Sequence, residues 1–501
     1  MPAKNLPNEE KGWFAASGVL VYAVLLAFVS RGHTLWRDEA EAWIVARDSH
    51  GLASLLHNVR YEGHPVGWYL VLDAFTRFTA NPEWMKVPNY LFAVAVAAMI
   101  FSAKRLTPLA RVGIVFSYFL LFEYAAIDRN YMMGVMCLVA ALMLMRRGKS
   151  VFGVPVMLSL AAITSLPALI VAVSFYPLHV LPMLCEGEGR SVGQRLASLG
   201  AKRWLGVALF SASVLFAVGT IKPPKDSALL LDSAPRTSLA VTLAHPFHDV
   251  AKTLLPVRTR GVDFWGNSGI DTHAPRLFVL FGLVATVGLI FYFRQKAVRT
   301  FFVTAEVLLL AQMAVSRRTE MRHVGWIFIV FVLALLLEEV PWFRYEERAE
   351  GGAISWRPIL LHGVLALQVM TATVAVVMSL RHSFSGSKAT AEYLEAHGLD
   401  KAPMVFAPDF VGLPVLAYME RPTAYYVERH AQGSIVVWDR TEFYGRHTPS
   451  RAELLAASPD GTPTVLVTRL PLSSEEQESL GVHRLALITG EIYPDSYFIY
   501  R

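Results

Sequence analysis

The chain has 501 residues, 54% of them hydrophobic, with a mean hydropathy of +0.41; its apolar residues fall in long blocks, the composition of a polytopic membrane protein. The net charge is +6 and the pI near 9.2, but Lys and Arg stand at the ends of the apolar blocks, where membrane anchoring puts them, which sets nucleic acid aside as a partner. The two cysteines, Cys137 in an apolar block and Cys185 in a short polar loop, exclude a disulfide framework, a zinc finger and a redox motif.

Lys4 to Lys11 precede an apolar run from Trp13 to Ser30. That run is long enough for a ~30 Å hydrocarbon core and lacks a small-x-small cleavage site, so it reads as an uncleaved first span. Further blocks follow at Pro88 to Ala103, Leu109 to Tyr124, Tyr131 to Met145, Val151 to Ile163 and Leu166 to Leu184. Others lie at Trp204 to Thr220, Arg276 to Phe293, Thr300 to Val315, Val324 to Val340 and Ile359 to Leu380, which makes eleven spans. Val151 to Leu184 reads either as two short helices broken near Thr164-Ser165 or as one long tilted helix.

His64 to Phe75 is apolar but short and interrupted by Asp73. Counting it as a span would invert every later helix. With it excluded and the N-terminus cytoplasmic, the inside loops all carry clustered Lys or Arg, as the positive-inside rule requires. These loops are Lys104 to Arg111, Arg146 to Lys149, Cys185 to Arg203, Arg294 to Arg299 and Glu338 to Arg357. Residues 64 to 75 are then a membrane-surface helix in a first outer loop, 31–87. The other outer loops are Glu123 to Asn130, Ile221 to Pro275 and Ser316 to His323. The last is basic yet outside, which calls for an anionic partner.

From Arg381 to Arg501 the chain is polar. Short apolar strands at Met404 to Phe406, Ala424 to Val427, Ile435 to Trp438 and Thr464 to Val467 alternate with helical stretches at Thr390 to His397, Arg451 to Ala457 and Ser474 to Leu480. This alternation predicts a small α/β domain with a partly parallel sheet on the extracytoplasmic side. The expected organisation is a helical membrane domain over 1–380 and a soluble domain over 381–501.

Four places carry candidate chemistry. Trp36-Arg37-Asp38-Glu39-Ala40-Glu41-Ala42-Trp43 puts three carboxylates directly after the first span. Asp38 followed by Glu41 has the spacing of a helix N-cap and its partner, with Trp36 and Trp43 as interfacial anchors; a carboxylate there also suits proton acceptance from an acceptor nucleophile. The short loop with Glu123, Asp128 and Arg129 packs ionisable groups between apolar helices, the pattern of a functional site. His64 in Tyr61-Glu62-Gly63-His64-Pro65 is either a hydrogen-bonded structural residue or a phosphate or sugar contact. Arg317, Arg318, Arg322 and His323 form the misplaced basic loop; an arginine fork suits phosphate oxygens, and generic headgroup binding is the alternative.

Taken together, Asp38-Glu39 after the first span, the Glu62-Gly63-His64-Pro65-Val66-Gly67-Trp68-Tyr69 entry to a surface helix, and the short acidic loop at Asp128 resemble the GT-C glycosyltransferases. The branch they most resemble is that of the protein O-mannosyltransferases and lipid A aminoarabinose transferases. The resemblance implies a multi-pass enzyme of the inner or plasma membrane, taking a sugar from a polyprenyl phosphate and passing it to a protein, lipid or polysaccharide acceptor by inverting transfer. Asp38 would be the base, with Glu39 in support, and His64, Arg129, Arg322 and His323 would hold the donor phosphate. Asp128 stands where some members place metal-binding acids, but beside Arg129 it departs from a paired Asp-x-Asp; no cofactor is required by the pattern and a divalent metal stays open. The rivals are a transporter or flippase for lipid-linked saccharides, which calls for ionisable residues along a mid-membrane path, and a noncatalytic assembly factor.

Overall fold

A computed structural model describes residues 12–147, 151–185, 200–228, 239–256, 265–266, 274–316, 320–338, 356–420, 423–458 and 460–501, with 194 and 340 besides. Six helices among them are long and apolar enough to cross a membrane: Trp13–Gly32, Pro82–Phe101, Ala201–Ile221, Pro275–Tyr292, Lys296–Ser316 and Trp356–Arg381. Shorter apolar helices at Tyr131–Arg146, Gly153–Ala162, Leu166–Leu181 and Met321–Leu337 complete the bundle. The protein is an α-helical polytopic membrane protein with a C-terminal α/β part.

Burial separates centre from periphery among helices of similar hydropathy. Met321–Leu337 is buried on nearly every face, so its apolar residues meet other helices all round. Ala201–Ile221 and Pro275–Tyr292 leave Leu215, Phe216, Leu280 and Val284 uncovered, which is how a helix facing lipid looks.

In the first half, α1 (Trp13–Gly32) leads into α2 (Arg37–Asp48), α3 (Leu52–Asn58) and α4 (Gly67–Thr76). They are followed by α5 (Lys86–Phe101), α6 (Pro108–Val115), α7 (Tyr131–Arg146), α8 (Gly153–Ala162) and α9 (Leu166–Cys185). The expected span Leu109 to Tyr124 is broken: α6 stops at Val115 and a π-helical turn, Tyr118–Glu123, follows. Val151 to Leu184 is two helices, with Ile163, Thr164 and Ser165 outside both.

That break is used. The Ile163 carbonyl, left without a helical donor, accepts Gly67 N–H at 2.8 Å, and the Thr164 carbonyl accepts Asn130 Nδ2 at 3.1 Å. The approach is so close that a Cβ on Gly67 would lie 2.5 Å from Ile163 O. Both α4 and the loop before α7 are therefore moored to one helix break. The entry to α4 turns on Gly63, whose φ of +71° is the region glycine tolerates.

The C-terminal sheet has the order β3-β2-β1-β4-β6-β5. Its strands are β1 (Met404–Ala407), β2 (Ala424–Tyr426), β3 (Ala431–Gly433), β4 (Val465–Thr468), β5 (Arg484–Thr489) and β6 (Ser496–Tyr500). β1 runs parallel to β2 and β4, and the outer pairings are antiparallel, a partly parallel sheet. Ile435 to Trp438, expected as a strand, is not one: its end pairs with the loop at 226–228, through Ala228 N–H to Trp438 O at 2.8 Å and Arg440 N–H to Asp226 O at 2.9 Å.

α2 lies between the two parts. Ala42, Trp43, Val45 and Ala46 pack with α4, while Ala40 and Ile44 pack with the Gly412–Tyr418 helix beside the sheet. The expected tryptophan anchors are thus interior residues: Trp43 is 0% and Trp36 2% exposed, because both faces of α2 are covered by protein.

Candidate active site

The start of α2 decides where its three carboxylates point. Trp36, with extended backbone, is the N-cap, and its N–H donates to Glu39 Oε2 at 3.1 Å. Glu39 also accepts His33 Nε2 at 2.8 and 2.9 Å and Asp128 N–H at 2.5 Å. The capping pair expected at Asp38 and Glu41 is therefore Trp36 and Glu39. Glu39 faces the protein interior, where it ties the first loop to the second.

Asp38 points the other way. Its Oδ1 accepts Arg37 Nε and Nη2 at 3.1 and 3.0 Å; its Oδ2 stands 2.6 Å from Arg129 Nη1 and 3.5 Å from Arg322 Nη2. Burial raises the proton affinity of this carboxyl, but Arg129, Arg37 and Arg322 outweigh it and hold the pKa far below the usual carboxylate range. The indole of Trp36 underlies the group, with the Arg322 and Arg129 guanidinium carbons 5.3 and 5.9 Å from its ring.

Arg129 and Arg322 are brought there by satisfied backbone. Asn89 Nδ2 donates to the carbonyls of Tyr124 and Ala125 at 3.1 and 3.0 Å, which closes the turn leading to Arg129. Tyr124 Oη donates to Arg322 O at 2.8 Å and so fixes the start of the Met321–Leu337 helix against the same loop. There His323 Nδ1 pairs with Glu320 Oε2 at 2.7 Å. His64 Nε2 lies 3.4 Å from Arg129 Nη2.

These groups open on a cavity of about 530 Å³. Asp38, His64, Arg129, Arg322 and His323 line it, together with Leu166 and Pro167 at the helix break. Residues not assigned to the site from sequence line it too: Arg37 and Glu62, quoted there only within motifs, Glu41, expected as a capping partner, and Trp438 and Arg446. Glu41 is buried, accepts Trp438 Nε1, and makes no arginine hydrogen bond among the described residues; burial and then the Asp38 charge push its pKa up to about 7. Glu62 is raised well above the usual value by burial and then Glu41. Glu41 was legible in principle, because it sits three residues after Asp38 and shares its helical face.

No sequence-family model matches the chain, and no curated protein matches it. Among solved structures, the crystal structure of ArnT from Cupriavidus metallidurans in the apo state matches with a TM-score of 0.52 at 13% identity, over 97% of this chain and 98% of that one. The same protein bound to undecaprenyl phosphate matches with a TM-score of 0.50 at 12% identity, over 98% of both chains. The chain has the ArnT fold. At this identity the likeness shows the fold, and with the six long apolar helices it is the fold of an integral membrane protein.

Within this ArnT fold Asp128 is set apart from the cavity. Its carboxylate is 1% exposed and lies near His33 and Glu39, with one ligand atom of each within 4.8 Å of the others. Glu39 already accepts three N–H groups, from His33 Nε2, Trp36 and Asp128, so as a cation site the group keeps only His33 Nδ1 and the Asp128 oxygens unengaged, fewer donors than a calcium-type ion takes. Burial and then the Glu39 charge raise the Asp128 pKa well above the usual value. Arg317 and Arg318 of the expected basic loop lie outside the described residues.

Proposed function

We propose that the chain is a membrane glycosyltransferase that moves a sugar from a polyprenyl-phosphate donor to an acceptor on the extracytoplasmic side, the side on which the C-terminal 381–501 part also lies. The observation that carries the proposal is the convergence of Arg129 and Arg322 on Asp38 at the wall of a large cavity beside a break in the membrane helices. The ArnT likeness supports the donor class, since one of the two ArnT structures holds undecaprenyl phosphate. A polyprenyl chain leaves the bilayer only at about 0.8 kcal/mol per CH₂, so its phosphate has to be met at the membrane edge.

In this reading the donor phosphate competes with Asp38 for Arg129 and Arg322, with His323 and His64 alongside. The acceptor's nucleophilic atom attacks the anomeric carbon from the face opposite the phosphate, the bond from that carbon to the phosphate oxygen breaks, and polyprenyl phosphate departs with the electron pair. The arginines stabilise the charge gathering on the leaving oxygens. Asp38, relieved of two of its cations by the phosphate, regains basicity and takes the acceptor's proton. The inverting course follows from a single displacement.

One observation favours a second assignment of the base. Glu41 lies on the same face as Asp38 and keeps its proton to about pH 7 without any arginine hydrogen bond, which makes it the stronger acceptor before the donor arrives.

The test is mass spectrometry of lipid-linked sugars in cells without the protein. A polyprenyl-phosphate sugar is expected to accumulate and to be cleared by the wild-type chain but not by Asp38→Asn inserted at equal level. No accumulation, or clearance by Asp38→Asn, would overturn the assignment of function or of residue respectively.

A further inference from the structure

The C-terminal sheet carries a second polar cluster that sugar transfer does not use. Asp409 stands in the turn after β1, Glu428 follows β2, and Glu442 lies in the short Arg440–Tyr444 helix; one oxygen of each lies within 4.8 Å of the others. β1 and β2 are parallel neighbours, so Asp409 and Glu428 leave the carboxyl ends of adjacent strands, the edge at which open α/β sheets hold ligands.

Asp409 is 1% and Glu442 0% exposed. Among the described residues no N–H donor reaches Asp409 Oδ2, Glu428 Oε2 or either Glu442 oxygen with hydrogen-bond geometry, while Asp409 Oδ1 accepts the Val427 N–H at 3.3 Å and the Asp409 and Glu428 carboxyls stand in hydrogen-bond contact with each other. The nearby cations do not balance the set. Arg446 Nε stands 3.5 Å from Glu442, and Arg429 is committed to Asp439 and the Val437 carbonyl. A fourth oxygen of different chemistry joins them. The Tyr426 hydroxyl at the end of β2 belongs to a residue 3% exposed, has no hydrogen-bond partner among the described residues, and feels the charges of Asp409 and Glu442 above all others.

We propose that Asp409, Glu428, Glu442 and the Tyr426 hydroxyl bind a divalent cation of the calcium class. All four donors are oxygens, the preference of a hard cation, and no histidine or cysteine belongs to the set, which disfavours zinc. Unlike Glu39, whose oxygens take three N–H groups, these carboxylates are largely left without N–H donors. The cation would also reach the cavity. Glu428 and Glu442 bracket the segment that delivers Trp438 to Glu41, and Arg446, paired with Glu442, lines the cavity itself. Neutralising Glu442 frees Arg446 for an anionic ligand there.

The full chain in nanodiscs, stripped with chelator, is titrated with calcium while thermal unfolding is followed, and with terbium while its sensitised emission is read. Calcium up to ~1 mM, the range of extracellular sites, is expected to raise the unfolding midpoint by several degrees and to displace terbium emission. Asp409→Asn and Glu442→Gln are expected to lose both responses, and Asp128→Asn to keep them. If Asp409→Asn does not fold, Glu428→Gln at a partly exposed position takes its place. No calcium response in the wild type, equal responses in the variants, or a response to zinc alone would overturn the proposal.

Discussion

Arg129 Nη1 lies 2.6 Å from Asp38 Oδ2, and this ion pair joins the first loop, after α1, to the second loop, before α7. Arg322, from the start of a much later helix, approaches the same oxygen. Three distant parts of the chain therefore share one carboxylate. Its surroundings decide what each residue does.

Removing either cation is expected to slow transfer more than it weakens substrate binding. Arg322→Ala and Arg129→Ala should each lower kcat by on the order of 10²- to 10³-fold, the loss found when one preorganised charge stabiliser is removed. Arg129→Lys should recover part of the rate but not all, because an ammonium lacks the planar fork. Initial rates with a polyprenyl-phosphate sugar check this. Equal rates in all three variants would detach the arginines from the leaving phosphate.

The two candidate bases separate by pH. If Glu41 takes the proton, the rate of the wild type rises with pH through about 7, where this carboxyl loses its proton, and Glu41→Gln abolishes that limb. If Asp38 does, no limb near 7 appears in kcat/KM, because in the donor-free protein its arginines hold it far below the usual carboxylate range. The same shift has a stability consequence. A carboxyl whose folded pKa lies above its ordinary 4.5 binds more protons folded than unfolded, so stability falls as pH rises from 4.5 to about 7 and Glu41→Gln escapes that fall. Thermal unfolding at several pH values reads it directly.

Gly67 is expected to be intolerant of a methyl group. Gly67→Ala would put a carbon 2.5 Å from Ile163 O and disturb the hydrogen bond that moors α4, a loss of about 1–3 kcal/mol of stability. Gly219→Ala, where nothing lies within 4 Å of the added carbon, should be neutral or gain roughly 0.5–1 kcal/mol from helix propensity. Denaturation of the two variants in the same detergent makes the comparison.

Asp128→Asn is expected to keep most of the transfer rate. The acid is buried away from the cavity, burial and the Glu39 charge disfavour its ionised form, and an amide copies its shape without a charge. Asp128→Ala should lose thermal stability instead, through the space and polar contacts it removes. A large loss of rate in Asp128→Asn that added divalent cation restores would put a metal at this position.

The membrane character, most of the long apolar helices and the mixed sheet could be read along the chain because each rests on local signals: apolar run length, charge at run ends, and alternating short strands and helices. The broken stretch 109–124 and the helix Leu239–Leu254 inside the expected outer loop 221–275 could not. β5 and β6 escaped that reading. β5 lies at the sheet edge with exposed and half-buried residues, so burial wrote no strong pattern into Arg484–Thr489. The supposed strand at Ile435 to Trp438 failed for the opposite reason: its apolar residues reach toward α2 and the cavity instead of a sheet neighbour.

By itself the sequence determined that an acidic segment follows the first span and that basic residues gather late in the membrane part, since hydropathy and charge are properties of neighbours in the chain. Which carboxylate meets which cation was decided only by the tertiary structure. On a helix turning about 100° per residue, Asp38 and Glu41 share a face while Glu39 leaves it. One residue of difference in where α2 starts would exchange their roles. That start is set by His33, Trp36 and the Asp128 N–H closing around Glu39, contacts that run from one loop to another and that no local pattern records.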